Sequence, residues 1–454
     1  EALMRRSSWF LLTGVLVTAA AAQAATTLSP ELKFEKYTLP NGLEVLLSED
    51  HRLPLVSVNL WYNVGAGSEV AGRSGFAHLF EHIMFQGSRN VAEDTFFPML
   101  EKAGAPLVNG TTDFDRTNYF ETVPSNQLDL ALWLESDRMG FLLDTLTQER
   151  LDNQRAVVRK ERQQSVENVP YVPGEERLFQ LLFPDPHPYY GFVIGSHKDL
   201  EAATLEDVKG FFNTYYLPNN ASLAIVGDFD PATIKAKVEK YFGSIKAGAE
   251  PPPVAERTQA ITAERRDVVK DEVELPRVYF GWVGPRIFKD GDAEMTLAAQ
   301  ILGAGKVGRL EQALVIQQPI AQEVLVAWYP QVQGSILEIS ITGRPGQTAE
   351  SLEAASWPVI EAMRSSPVTA DELMMARRTW ESSRLRGLEQ LGGFGGRADV
   401  LNQYNLLAGD PGYLPKDFAR FAAVTVDSLM KVYAETVKKE SRVVVHVVPA
   451  GGEK

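Results

Sequence analysis

The sequence predicts an α+β protein made of two homologous domains, each a mostly antiparallel sheet packed with helices on one side, joined by a proline-rich linker. Three observations predict it. Apolar and polar residues alternate along the first segments, the pattern changes to a helical period at Gly75, and a Thr-led segment at 204–208 recurs at 425–429. Alternation with period two marks half-buried strands, whereas recurrence at three and four marks an amphipathic helix.

Taken in order, residues 34–39 and 43–48 alternate around Pro40-Asn41-Gly42, a tight-turn hairpin. A third strand is expected at 55–64. From Gly75 the residues Phe76, Leu79, Phe80 and Ile83 recur at helical spacing, and further helices are expected at 95–103, 126–143 and 147–168. One strand-like stretch, 106–122, separates them. Thr204-Leu205-Glu206-Asp207-Val208 leads through a helix to a strand at 222–226, and Thr425-Val426-Asp427-Ser428-Leu429 leads likewise to 442–448. The offset, 425 minus 204, is 221 residues, which predicts two copies of one unit rather than unrelated domains. Residues 247–257, with Pro251-Pro252-Pro253, read as the linker between them.

Forty-five basic against 59 acidic residues give a net charge of -14, which disfavours nucleic acid and anionic lipid as partners. The chain has no cysteine, so disulfides and thiolate metal ligands are excluded and only His and carboxylate remain. At the start, Met4-Arg5-Arg6 precedes an apolar run at 10–22 and the small-x-small site Ala22-Gln23-Ala24, the pattern of a cleaved export signal. That run is shorter than the ~20 residues needed to span a bilayer. The expected plan is an export signal at 1–24, a first domain at 25–246, a linker at 247–264 and a second domain at 265–454. The mature protein is expected to be periplasmic and free of the membrane.

The residues that carry chemistry are His78-Leu79-Phe80-Glu81-His82. A helix turns once per ~3.6 residues, so His78 and His82 project from one face and can grip one ion. Glu81 lies off that line, where a carboxylate can serve a water as general base. This order is the inverted zinc-peptidase motif. A catalytic zinc takes three protein ligands, so a third must come from elsewhere. Glu161, on the expected helix Val157-Val158-Arg159-Lys160-Glu161-Arg162, is a candidate, although a lone helical Glu is ordinarily a solvated charge.

Residues 75–87, 109–119 and 157–168 together resemble the pitrilysin, insulin-degrading enzyme and mitochondrial processing peptidase family, and the resemblance extends over nearly the whole mature chain. It implies one Zn²⁺ per chain held by His78, His82 and Glu161, with Glu161 standing 161 minus 82, or 79, residues beyond the motif. It implies Gln154 as a support behind the ligands, where the family often has an acid. It also implies that Val108-Asn109-Gly110-Thr111-Thr112 is an edge strand beside the zinc, with Asn109, Gly110 and Thr111 binding the substrate backbone. The family completes its site with an Arg and a Tyr seven residues apart. Here the matching stretch carries Val315 and Gln322, so the resemblance implies a heterodimer whose partner, a homologous subunit lacking the zinc motif, supplies that pair.

Two glycine motifs are set aside. Gly303-Ala304-Gly305-Lys306-Val307-Gly308 has a dinucleotide-site spelling but follows a helical stretch at 293–302 instead of a strand. Gly392-Gly393-Phe394-Gly395-Gly396 lacks the Gly-Lys-Ser/Thr ending of a phosphate loop and reads as a flexible loop. The expectation is therefore a zinc metalloendopeptidase acting on peptides or unfolded polypeptides. Two other readings stand beside it, a non-catalytic assembly subunit and an exported peptide-binding module of the same fold.

Overall fold

The computed structural model describes residues 29–254 and 260–451, so the expected export signal at 1–24 and residues 255–259 of the expected linker lie outside the described residues. Strands β1 (Glu35–Thr38), β2 (Glu44–Glu49), β3 (Leu55–Tyr62), β4 (Leu107–Thr112), β5 (Thr117–Pro124) and β6 (Ala221–Gly227) form one sheet. Its order is β1-β2-β6-β3-β5-β4. Strands β7 (Arg265–Asp271), β8 (Arg277–Gly284), β9 (Ala321–Tyr329), β10 (Ser335–Gly343) and β11 (Val443–Pro449) form the other, in the order β7-β11-β8-β10-β9.

Without β1 the two orders superimpose strand for strand. In each, the strand inserted last runs parallel to one neighbour and antiparallel to the other: β6 with β2 and β3, β11 with β7 and β8. The helices used below are α1 (Phe76–Ile83), α2 (Leu128–Phe141), α3 (Gln148–Arg162), α4 (Val172–Leu182), α5 (Leu205–Tyr215), α6 (Asp292–Gly303), α7 (Ala349–Ser365), α8 (Arg397–Gln403) and α9 (Val426–Thr436). The recurring Thr is the N-cap of α5 and of α9, and each closes a capping box, Thr204 with Asp207 and Thr425 with Ser428. The fold is thus the expected α+β duplication.

The expected hairpin is present, with Thr38 opposite Glu44. The stretch 106–122 is corrected from one strand to two, β4 and β5, joined by a turn in which the Asp113 N–H donates to the Arg116 carbonyl at 2.9 Å. The turn Asp113-Phe114-Asp115-Arg116 has no Gly or Pro and its Phe114 is buried, so only its two Asp residues, Asp113 accepting from Phe114 N at 2.7 Å, mark it as a turn. Among the described residues no helix is long and apolar enough to cross a membrane.

Strand alternation divides each sheet between two cores. In the first sheet Val58, Leu60, Tyr62, Leu223 and Ile225 face the helices of their own half, including α1 and α2. Leu46, Ala224 and Val226 point the other way, onto Leu391, Ala398 and Leu401 of the loop before α8 and of α8 itself. The second sheet mirrors this. Phe280, Trp282, Leu337 and Ile339 face the core shared with α6, while Tyr279, Val445 and Val447 meet Leu178, Phe179 and Leu182 of α4. Each sheet is therefore covered on its second face by a helix from the opposite half. Burying a Leu or Phe stabilises by roughly 1.5–3 kcal/mol, so the three α4 side chains alone hold the halves together by several kcal/mol.

A partly buried ion network ties the second sheet to its helix. Glu353 of α7 accepts from Arg266 of β7 at 2.9 Å, from Arg442 at 2.8 Å, and pairs with His446 of β11 at 2.8 Å; Arg442 and Arg266 also reach Glu264, and Glu350 lies 3.3 Å from His446. Burial opposes ionisation of Glu353, but the hydrogen bonds from Arg266 and His446 and the nearby positive charges outweigh it and hold its pKa at about 2. A depressed carboxylate pKa adds stability that is complete above the ordinary value of 4.5 and is lost as pH falls through about 2. Glu353→Gln should therefore destabilise the protein at neutral pH, and the gap to wild type in urea unfolding should close between those pH values. A gap that does not change with pH would assign the effect to hydrogen bonding alone.

Candidate metal centre

Helix α1 begins at Gly75, whose φ of 86° is left-handed, and at that point the chain touches Gly195, itself at φ 74°. A Cβ on Gly195 would stand 2.4 Å from Gly75 N, and one on Gly75 would stand 2.5 Å from the Ile194 carbonyl oxygen. Only glycine at both positions permits this approach. The Gly195 carbonyl accepts from Arg162 Nη1 at 2.7 Å, and Arg162 follows Glu161 on α3. The start of α1 and the end of α3 are thus clamped through one backbone crossing.

Two acidic side chains hold the N-terminus of α1. Glu69 accepts from Gly75 N at 3.0 Å and from Ala77 N at 2.8 Å, and Asp199 accepts from Ser74 N at 3.1 Å and Ser74 Oγ at 2.6 Å. These are N–H groups that a helix leaves unpaired, at its positive end. Burial pushes the Glu69 carboxyl up to about 8, against the pull of those donors. Glu69 was not legible as a site residue because it lies six positions before the helix cap, outside any local capping pattern.

With the helices so placed, His78, His82 and Glu161 converge, their donor atoms all within 4.8 Å of one another. His78 Nε2 lies 3.8 Å from Glu161 Oε1 and His82 Nε2 3.1 Å from Glu161 Oε2. Side-chain exposure rises from 14% at His78 to 24% at His82 and 40% at Glu161, so the group opens to solvent on the α3 side. Burial, then the neighbouring His82, lower His78 to about 4, which keeps its imidazole neutral and its lone pair available. The hydrogen bond from His82 holds Glu161 ionised against its burial. Two neutral-capable imidazoles and a carboxylate, with no thiolate and a free approach from one side, suit a zinc with an open position.

Glu81 projects beside this group. Thr112 Oγ1 of β4 donates to Glu81 Oε2 at 2.6 Å. Burial raises the Glu81 pKa, partly offset by that hydroxyl and by the charges of His82 and Arg116. Gly110 allows β4 to pass this close, since a Cβ there would stand 3.1 Å from Glu81 Cγ and 2.9 Å from Phe85 Cε2. Phe85 and Tyr119, which flank Gly110, rest on the buried guanidinium of Arg138, at 5.0 and 4.2 Å from the ring centres.

The other expected residues separate by strand alternation. Gly110 and Thr112 face α1, whereas Asn109 and Thr111 face away from it, and Asn109 Oδ1 accepts from Gly110 N at 2.9 Å. Thr112 was missed as well as Glu69, although counting by two from Gly110 points to it. Gln154 is buried on α3 beside Ile83 and Gln86, and among the described residues no hydrogen bond joins it to His78, His82 or Glu161. Val315 is half-buried against the second core and Gln322 is exposed at the start of β9.

Comparison with known proteins gives the family of the chain. Residues 44–182 match the insulinase (peptidase family M16) domain and residues 202–379 the peptidase M16 inactive domain. The chain belongs to peptidase family M16. Among M16 relatives, the zinc protease PqqE of Helicobacter pylori is 28% identical over 441 residues, 96% of this chain and 97% of that protein. The crystal structure of a protease from Helicobacter pylori matches with a TM-score of 0.86 at 27% identity, covering 92% of this chain and all of that one. A peptidase M16 inactive domain from Pseudomonas fluorescens shares the fold, with a TM-score of 0.79 at 19% identity over 93% of this chain and 99% of that one.

Replacing Glu69 with Ala removes the acceptor for two helix-end N–H groups. The expected cost is about 1–2 kcal/mol in chemical unfolding, together with weaker zinc retention in competition with a metal-binding dye. Unchanged zinc retention would uncouple the helix start from the metal group.

Proposed function

We propose that this M16 chain is a zinc metalloendopeptidase acting on peptides or unfolded polypeptides, exported to the periplasm, and working as the catalytic subunit of a heterodimer. The observation that carries the reading is the convergence of His78, His82 and Glu161 with Glu81 beside them and β4 at the edge of its sheet. When bound by the two imidazoles and Glu161, zinc supplies Lewis acidity, which lowers the pKa of water and polarises a carbonyl.

The chain's own groups supply the rest. The unpaired edge of β4 offers backbone donors and acceptors to an extended peptide, which orients it without reading its side chains closely. Glu81 takes a proton from water at its carboxylate as the oxygen bonds to the scissile carbonyl carbon, and gives that proton to the amine as the C–N bond breaks. Its burial favours this exchange because a carboxylate with a raised pKa is a stronger base. Thr112 fixes one carboxylate oxygen by its hydrogen bond and leaves the other to meet water.

Export rests on the pattern Met4-Arg5-Arg6 to Ala24. The heterodimer rests on Val315 and Gln322, neither of which can stabilise a developing oxyanion as a guanidinium does.

Glu81→Gln should keep zinc, by metal analysis, and lose turnover on a quenched peptide by at least a hundred-fold, since general base catalysis contributes about 10²–10⁴. Glu161→Ala should lose zinc as well. Activity retained by the first variant would sink the base assignment. Co-purification from the native host should give a homologous subunit, and the pair should cleave faster than the chain alone. Equal rates for chain and complex would remove the heterodimer.

A further inference from the structure

The two faces of β4 have different surroundings. On the face of Gly110 and Thr112 lies Glu81; on the face of Leu107, Asn109 and Thr111 lies the glycine loop that precedes α8. A Cβ on Gly392 would stand 2.0 Å from Ser57 Oγ, and one on Gly393 would stand 3.1 Å from Leu107 Cδ2. The loop therefore lies directly on the first sheet and reaches its edge strand. It is pinned there: Arg397 pairs with Asp50, both nearly buried, Arg397 N donates to the Gln390 carbonyl, and Gly395 N donates to Asp399.

Between its glycines the loop presents one side chain, Phe394. Its ring packs edge-on against Phe120 of β5 at 5.5 Å, yet the residue is 69% exposed, and Leu107 beside it is 36% exposed. A pinned loop whose other residues have no side chains leaves this ring uncovered in a fixed place. Apolar surface fixed beside an unpaired strand edge is placed to meet whatever pairs with that edge.

We infer that Phe394, with Leu107, forms an apolar subsite that selects substrate side chains on the face of the added strand turned away from Glu81. The inference rests on the proposed peptidase reading. A peptide paired with β4 lies about 4.8 Å beyond it and sends alternate side chains to opposite faces. One set points toward Glu81 and the other toward Phe394 and Leu107. An aromatic or branched aliphatic residue in the second set covers the Phe394 ring, whereas Ser or Ala leaves it wet. The occupant is thus an extended peptide with a bulky apolar residue beyond Gly110, toward the Leu107 end of β4.

The test uses two series of peptides differing at that position only, Phe or Leu against Ser. One measures kcat/KM with quenched substrates for the mature chain, together with its partner subunit where the pair is the active form. The other measures peptide affinity by fluorescence anisotropy on the Glu81→Gln chain, which needs no turnover. A preference of roughly ten-fold or more for the apolar residue is expected, falling toward unity in Phe394→Ser and restored in Phe394→Leu, with zinc content and thermal midpoint unchanged. An apolar preference that survives Phe394→Ser, or no preference in the wild-type chain, overturns the subsite. Lower affinity of Phe394→Ser for a partner subunit, with selectivity intact, overturns it in favour of a subunit contact. Absence of cleavage by any form, with the binding preference present, would instead count against the peptidase reading and leave the subsite standing.

Discussion

The candidate metal group depends on the crossing of two glycines. His78 and His82 come from α1 and Glu161 from α3, and three side chains on two helices share one ion only when the helix axes meet at a set distance. Gly75 against Gly195 sets it, and Arg162 fastens the second strand of that crossing to the helix that bears Glu161. Glu69 and Asp199 then fix where α1 begins, so the rotation of its imidazoles follows from backbone contacts made outside the helix. The convergence of the polar side chains is thus set by positions with no side chain of their own.

The duplication shows what is scaffold and what is chemistry. The same strand order occurs twice, with the same Thr-capped helix feeding the same inserted strand. In the first half the helix that follows β3 carries His78, Glu81 and His82. In the second half the helix that follows β8 is α6, whose Ala293, Met295, Leu297, Ala298, Ile301 and Leu302 are all buried. With no ligand to present, that helix is given over to packing. The second half contributes to the first instead by position, through α8 and the glycine loop.

Much of this was legible from the residues. The hairpin at Asn41-Gly42, the histidine helix and the 221-residue recurrence are local patterns with strong periodicity, and the structure has each of them. The division of 106–122 into β4 and β5 was not read, because the turn has no Gly or Pro and its Phe114, packed on Phe179 and Tyr189, continues the apolar pattern across the two Asp residues that mark it. Glu69 and Thr112 were missed for another reason: both act on groups brought near by the fold, at 8 and 31 residues' separation. The loop 392–396 read correctly as a loop, but composition alone gave flexibility, whereas its glycines serve close contact with Ser57 and Leu107.

The exchange of covering helices has a consequence for how the chain is made. The last strand of the first sheet ends at Gly227, but the residues that cover its second face begin near Leu391. Leu46, Ala224 and Val226 thus have only the partly buried Leu32, Phe34 and Leu55 against them until well over a hundred further residues have left the ribosome. Over that interval the first sheet is an adhesive surface, at the stage when multidomain chains misassemble.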